Sequence, residues 1–330
     1  MKKLEKTDYQ LLTNILALDQ DSLRRVLAKY LKKKYDNVHI TNSYLYAEGN
    51  IPIALVAHMD TVFDNSPKDV YYDKEKGIMW SPQGLGADDR AGIFSILKIL
   101  LTSNLRPSII FTTDEEIGGL GAKRFICDFE EPAVPTNFLI ELDRNGINDC
   151  VFYEGDNSDF VEFIEGFGFS EAWGSFSDIS IISPAWEILG VNLSIGYKNE
   201  HSKTETLSVP YMLNTITKVK NILSMPTDKI PEFEYKEVKN SYFKYLYPTE
   251  EYLLHDYIDT CDHCGALAYD YEMIPVRTKR SGDEIEFLCP ECSEKLIDWC
   301  VNCGSPYLIN DTETNDKELC PYCNEGMKYV

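Results

Sequence analysis

Along the first two-thirds of the chain, short apolar runs alternate with longer stretches of helical period. Residues 8–35 repeat leucine at four-residue spacings (Leu12 and Leu16; Leu23, Leu27 and Leu31), which predicts amphipathic helices, with Asp21 as the cap ahead of SLRRVLAKYL. Val38–Ala47 and Ile51–Ala57 read as strands, and Val70–Trp80 as a further strand or hairpin. Arg90–Leu101 is a continuous apolar helix, and Pro107–Thr112 is a short buried strand. Gly119–Cys127 is helical, Asn137–Leu142 a strand and Ser158–Glu165 a helix. Val191–Ile195 is a strand, and Val209–Leu223 closes the series as a helix. Strands too apolar to face water, alternating with helices, predict an α/β fold whose mostly parallel central sheet is flanked by helices on both faces.

Length and cysteine placement add a second domain. At 330 residues the chain is about twice the usual single-domain size. Of its 10 cysteines, Cys127 and Cys150 alone precede residue 260, and the rest fall between Cys261 and Cys323. An α/β domain is therefore expected over 1–225 and a cysteine-rich module over 261–330. The stretch 226–260, rich in Pro, Lys, Glu and aromatics, reads as a linker or an arm against the first domain.

The net charge of −22 argues against a nucleic-acid binder, which needs a surplus of Lys and Arg, and against docking on anionic membranes. No apolar run is long enough to span a bilayer. The opening MKKLEKTDYQLLTNILALDQD is broken by Asn14, Asp19 and Asp21, so it reads as a surface helix rather than a signal peptide. A cytoplasmic location follows as an expectation, with the cysteines as thiols or metal ligands rather than disulfides.

Ligands in such sheets bind beyond the carboxyl ends of the strands, and the polar residues that stand out lie there. His58 and Asp60 end one strand, Asp114, Glu115 and Glu116 another, and Glu141 and Asp143 a third. Asp88 and Asp89 occupy a Gly-rich loop that opens a helix, and His201 follows the strand VNLSI. Imidazoles with carboxylates suit Zn²⁺, with Co²⁺ or Mn²⁺ as alternatives. Two histidines among many carboxylates favour two metals sharing one carboxylate over a single tetrahedral site. Such a pair clamps a hydroxide and a scissile carbonyl between the ions. The glycines at 84–86 and 118–121 are not phosphate loops, because no Lys-Ser/Thr follows them.

The segments HMDTV, GADDRAG, TTDEEIGG, ELDR and GYKNEHSKTET, in that order over roughly residues 50–225, resemble the di-zinc metallo-exopeptidases. The gaps from His58 to Asp88 and from Asp143 to His201 are too short for an inserted domain, which is similar to the compact bacterial aminopeptidase branch. The resemblance implies a zinc aminopeptidase fold in which His58, Glu116, Asp143 and His201 are terminal ligands and Asp88 bridges both ions. It implies that Asp60 orients the His58 ring and that Glu115 is the general base for a bridging hydroxide. It further implies a cis Asp88–Asp89 peptide, with Ser177 and Asp178 at the border of the substrate pocket. Asp89 reads as a cap for the helix at Arg90, Asp114 as a loop carboxylate and Glu141 as a supporting residue; Glu205 reads as a solvated helix-start residue, although the families it resembles often carry a Glu near there.

The tail holds four Cys-x-x-Cys pairs, CDHC, CPEC, CVNC and CPYC. Their eight thiolates are the count for two structural Cys₄ zinc ions, so two catalytic and two structural zincs are expected. Two sequential ribbons would join Cys261, Cys264, Cys289 and Cys292 at one ion, and Cys300, Cys303, Cys320 and Cys323 at the other; a cross-braced arrangement would interleave them. A protein partner is the expected user of this module. The first function expected is an aminopeptidase on small peptides. A deacylase or carboxypeptidase is the second, which needs a cation such as Arg90 or Arg144 for a substrate carboxylate. A non-catalytic zinc-ribbon interaction protein on a peptidase scaffold is the third.

Overall fold

A computed structural model describes residues 3–153, 157–174, 176–236, 258–269, 274–277, 285–299 and 306–309. The chain divides into two compact units, Met1–Lys239 and Asn240–Val330.

The first unit opens with α1 (Lys6–Leu16) and α2 (Gln20–Leu31), each presenting an apolar stripe, Leu12, Ile15 and Leu16 on one and Leu23, Leu27 and Leu31 on the other. The cap of α2 is Asp19, not Asp21: Asp19 is extended and its Oδ1 accepts the Ser22 N–H at 2.7 Å, so the helix begins earlier than the leucine spacing suggests. The apolar stretch 38–47 is a hairpin, not one strand: β1 (Val38–Ile40) pairs antiparallel with β2 (Tyr44–Ala47) around Thr41, whose hydroxyl accepts the N–H groups of Ser43 and Tyr44. Next come β3 (Ile51–His58), the hairpin of β4 (Tyr71–Asp73) and β5 (Ile78–Trp80), α3 (Ala87–Leu101) and β6 (Pro107–Thr112). They are followed by α4 (Leu120–Asp128), β7 (Phe138–Arg144), β8 (Asp149–Val151), α5 (Ser158–Glu165), β9 (Ser170–Glu171), α6 (Asp178–Trp186) and β10 (Gly190–Ser194). The unit closes with β11 (Tyr197–Lys198), β12 (Thr206–Ser208) and α7 (Val209–Leu223).

The central sheet has eight strands in the order β1-β2-β6-β3-β7-β10-β8-β9. Its middle four strands, β6, β3, β7 and β10, are parallel to one another, and β2 and β8 flank them antiparallel. This is the expected mostly parallel α/β sheet. Alternate residues of β3 serve its two faces. Ile53, Leu55 and Ala57 pack with Phe94, Ile96, Val219 and Leu223 of α3 and α7. The opposite face carries Tyr46, whose ring lies 5.3 Å from Phe125 of α4 and 6.4 Å from Trp186 of α6. With both faces covered, the central strands must be apolar throughout, which is why they read as unbroken runs.

The register puts the functional ends side by side. His58 of β3 lies opposite Thr112 of β6, and Val56 opposite Glu141 of β7. The segments that continue past these strands therefore emerge at one edge. A second sheet, β11-β12-β5-β4, stands beside that edge, with His201 in the turn between β11 and β12. Gly92 permits the close approach of α3 to β7, since a Cβ there would stand 2.2 Å from Leu142 O.

The first unit continues beyond residue 225 to Lys239, and Ile230 is buried while Phe233 packs against the core. In the second unit, β13 (Ile258–Thr260) pairs with β14 (Leu267–Tyr269), and β15 (Ile274–Arg277) with β16 (Ile285–Leu288). A short helix, α8 (Pro290–Leu296), precedes β17 (Ile297–Trp299), which pairs with β18 (Pro306–Leu308). Its small core is Cys261, Val276, Leu288 and Cys289. Among the described residues no helix is long and apolar enough to cross a membrane.

Candidate metal centre

Asp88 stands at the middle of the site. It follows Gly86, which is left-handed at φ +67°, and its peptide to Asp89 is cis, as the resemblance implied. Its two oxygens face different histidines. Oδ1 lies 3.2 Å from His58 Nε2, and Oδ2 lies 3.3 Å from His201 Nε2. Around His58 Nε2 stand also Asp143 Oδ1 at 3.4 Å and, farther off, Glu115 Oε2 at 3.9 Å. Against His201 Nε2 stands Glu116 Oε2 at 2.9 Å. By distance from the two histidines the carboxylates fall into two groups that share Asp88, with Asp88 and Asp143 at His58 and Asp88 and Glu116 at His201. Among the described residues, the triads here whose donor atoms all lie within 4.8 Å of one another are His58, Asp88 and Glu116, and His58, Asp89 and Asp143. Ligand atoms on one tetrahedral zinc are about 3.3 Å apart, close to the histidine–carboxylate distances of 3.2, 3.4, 3.3 and 2.9 Å.

The supporting contacts fix each donor. Asp60 Oδ1 stands 3.1 Å from His58 Nδ1, so an Nδ1–H donated to it leaves Nε2 as the free donor atom. The same carboxylate accepts the backbone N–H groups of Glu115 at 3.1 Å and Glu116 at 3.0 Å. One buried aspartate thereby orients three members of the site. Asp143 receives the Tyr197 hydroxyl at Oδ1 (3.0 Å), and Asn192 brackets its backbone, accepting its N–H at 3.0 Å and donating to its carbonyl at 2.9 Å. Asp88 and Asp89 depart from helical φ/ψ within the start of α3, and Asp89 accepts the Gly92 N–H at 2.9 Å, as expected of a cap for the helix at Arg90.

Glu205 is a correction. It is fully buried rather than solvated, and it accepts the N–H groups of Gly86 at 2.6 Å and Asp88 at 3.0 Å. Two backbone donors need a buried acceptor there, and the pairing of β12 with β5 carries Glu205 to them. Behind the site, Glu141 accepts the Ser177 hydroxyl and Asp178 accepts the Thr112 hydroxyl, all four buried, so Ser177 and Asp178 tie α6 to the sheet. Arg90 is also buried, and its Nη1 donates to Ile15 O at 3.4 Å. Arg144 Nη2 donates to Trp173 O at 2.8 Å.

The electrostatics call for cations. Burial raises Glu115 well above its ordinary carboxyl range, with Asp143 and Asp178 adding to the shift, and it raises Glu141 and Asp143 to about 8. For His58, burial acts to lower the pKa, but the carboxylates of Asp143 and Asp60 hold it well above its usual value. Hydrogen bonds to Asp88 and Glu116 push His201 to about 10. Acids this crowded and buried are stable only when protonated or when positive charge sits among them. Glu116 Oε1 and Asp89 Oδ2 are buried with no hydrogen-bond partner among the described residues. The donor set, the spacing and the orphaned oxygen of Glu116 all fit divalent ions.

In the second unit the sulfurs of Cys261, Cys264, Cys289 and Cys292 lie within 4.8 Å of one another. Each pair sits in a tight turn: Gly265, left-handed at φ +72°, returns its N–H to Cys261 O, and Cys292 N–H donates to Cys289 O. This is the grouping of the sequential alternative. Burial acts to raise the Cys261 pKa, but nearby backbone N–H groups bring it down to about 6, which suits a ligating thiolate. Cys300, Cys303, Cys320 and Cys323 lie outside the described residues.

Several residues that matter to this site did not stand out in the sequence. Asn192 left a signal, a polar side chain inside the apolar strand VNLSI. Tyr197 left none.

No family model matches the sequence, and no curated protein matches it. Solved structures do. The chain is similar to a tripeptidase from Staphylococcus aureus at 15% identity and a TM-score of 0.54, over 69% of this chain and 100% of that one. It is similar to aminopeptidase PepT from Bacillus cereus at 15% identity and a TM-score of 0.50, over 66% of this chain and 97% of that one. The α/β architecture is the fold shared with these two solved peptidase structures.

Proposed function

We propose that the chain is a metal-dependent peptidase, an aminopeptidase acting on small peptides, with two zinc ions in its first unit. The observation that carries this reading is the placing of the two Asp88 oxygens against separate His-carboxylate groups. His58, Asp88 and Asp143 would hold one ion, and His201, Asp88 and Glu116 the other. The ions would supply a Lewis acid for the scissile carbonyl and an acidified water at neutral pH. Co²⁺ or Mn²⁺ would serve with the same donors.

The chain's own groups supply the proton traffic. Glu115 Oε2 lies 3.9 Å from His58 Nε2, farther than the oxygens of Asp88 and Asp143, which leaves it free to take a proton and return it. It accepts the proton of the attacking water and delivers it to the leaving amine. Asp60 holds the backbone of this acid and of its neighbour, so base and ligand move together. Tyr197 and Asn192 hold Asp143, and Glu205 holds the loop bearing Asp88.

The surplus of carboxylates favours a substrate α-ammonium over a substrate carboxylate. The cations that a deacylase or carboxypeptidase would use are engaged, Arg90 in the interior and Arg144 on Trp173 O. The similar structures include a tripeptidase and an aminopeptidase. The Cys261–Cys292 cluster is read as a structural zinc site, with a second at Cys300, Cys303, Cys320 and Cys323 and a protein partner as the purpose of the module. The domain division follows the two units, a catalytic first unit and a zinc-ribbon second.

The test is a panel of dipeptides and tripeptides with free, N-acylated and C-amidated ends, given to the zinc-loaded chain and to Glu115→Gln. Free-amine peptides should be cleaved, with N-acylated ones inert and the variant reduced by at least about 10²-fold. Cleavage of N-acylated peptides alone would move the assignment to a deacylase. Full activity in Glu115→Gln would remove the base.

A further inference from the structure

The turn that carries Glu115 and Glu116 is held from two sides. On one side Asp60 accepts both of their backbone N–H groups. On the other, Asp114 is clamped by Gln20 through a reciprocal pair of hydrogen bonds. Gln20 Nε2 donates to Asp114 Oδ1 at 3.0 Å, and the Asp114 N–H donates to Gln20 Oε1 at 3.2 Å. Asp114 is left-handed, at φ +58°, and its carbonyl accepts the Leu120 N–H at the start of α4. This conformation is unfavourable for a non-glycine residue and persists where its surroundings enforce it. It turns the chain directly before Glu115.

Gln20 lies 94 residues away in sequence, as the first residue of α2. Asp19 caps that helix through the Ser22 N–H, which fixes where Gln20 sits. The clamp is specific to an amide, because it needs one acceptor and one donor on the same side chain. A carboxylate at position 20 could accept from the Asp114 N–H but would repel the Asp114 carboxylate.

We infer that Gln20, from outside the strand-end motifs, is a positioning residue that sets the Glu115 carboxyl for proton transfer by locking the left-handed turn at Asp114. The inference rests on the peptidase reading. Misplacement of a reacting group by about 1 Å can lower a rate roughly 10²-fold. Loss of the clamp should therefore act on kcat, leaving KM and the ions in place.

The experiment uses the full zinc-loaded chain and the peptide that the parent cleaves best. Gln20→Ala, well tolerated at the first turn of a helix, should lower kcat by about 10-fold or more with KM within about twofold. Gln20→Glu should lower kcat further. Adding Asp114→Asn to Gln20→Glu should restore most of the loss, because the asparagine amide can donate to the new carboxylate and asparagine tolerates the left-handed turn. Metal content and Tm should match the parent in all three. Unchanged kcat in Gln20→Ala and Gln20→Glu would overturn the inference, as would losses that track a fall in Tm or metal content with no rescue by Asp114→Asn. Should the parent cleave no peptide, the peptidase reading fails. The clamp is then read by hydrogen exchange at the Glu115 and Glu116 amides, which should quicken in Gln20→Glu and slow again in the double variant; unchanged exchange overturns the clamp itself.

Discussion

Replacing Glu205 tests how the site holds Asp88. Glu205 is fully buried and accepts two backbone N–H groups, from Gly86 at 2.6 Å and Asp88 at 3.0 Å. Hydrogen bonds to a charged group are each worth about 1.5–3 kcal/mol. Glu205→Gln keeps one acceptor and sets an N–H₂ against the second donor, so it should cost about 1.5–3 kcal/mol. Glu205→Ala strands both donors and should cost about 3–6 kcal/mol, a large part of the roughly 5–15 kcal/mol that keeps a domain folded. Because Glu205 supports the loop and is not itself among the proposed ligands, the glutamine variant should fold yet bind its ions about 10–100-fold more weakly. Urea unfolding at pH 8, with and without zinc, gives the stability, and competition with a zinc-binding dye gives the affinity. If both variants unfold within about 0.5 kcal/mol of the parent and hold zinc as tightly, the two hydrogen bonds do not support the Asp88 loop and the argument is wrong.

Other expectations follow from the same geometry. Burial raises Asp143 and Glu141 to about 8 and Glu205 to about 7, so the folded metal-free chain keeps protons that unfolded carboxyls release near pH 4. Its stability should therefore fall as pH rises from about 4 to about 8, and His201, raised to about 10, extends the loss to higher pH. Calorimetry after chelation should show Tm dropping from pH 5 to pH 9, and a rise over that range would contradict the carboxylate crowding. Gly92→Ala should destabilise by at least about 1–3 kcal/mol, since its Cβ would meet Leu142 O at 2.2 Å and force α3 off β7; an unchanged Tm would show that the helix yields freely. Cys261→Ser should remove one zinc per chain, measured by mass spectrometry of the native protein, with the ions of the first unit retained.

The strand ends were legible because parallel strands end together. His58, Glu116 and Asp143 stand at one edge for that reason, and the apolar runs that announce β3, β6 and β7 also locate the residues that follow them. Asp88 and His201 were legible as polar residues beside glycines and a strand, but the sharing of Asp88 between two histidines is a matter of side-chain geometry. Glu205 was misread because HSKTET is polar throughout; the pairing of β12 with β5, distant in sequence, is what buries it. The clamp between Gln20 and Asp114 depends on where α2 docks, and no local spacing carries that information. Asp21 reads as the cap because it stands directly before SLRRVLAKYL, yet the backbone turns helical two residues sooner, after Asp19. The sequence does not announce α6 because serine and proline dilute its apolar spacing; its Ser177–Asp178 start is held both locally by Ser180 and, at a distance, by Glu141 and Thr112.

The central claim is that Asp88 sits between two metal ions. Crystals of the full chain grown with zinc, measured on both sides of the zinc absorption edge, test it directly. The account predicts two anomalous peaks flanking the Asp88 carboxylate, one touching His58 and Asp143 and the other touching His201 and Glu116. A single peak, or peaks that leave Asp88 without a metal contact, would contradict it.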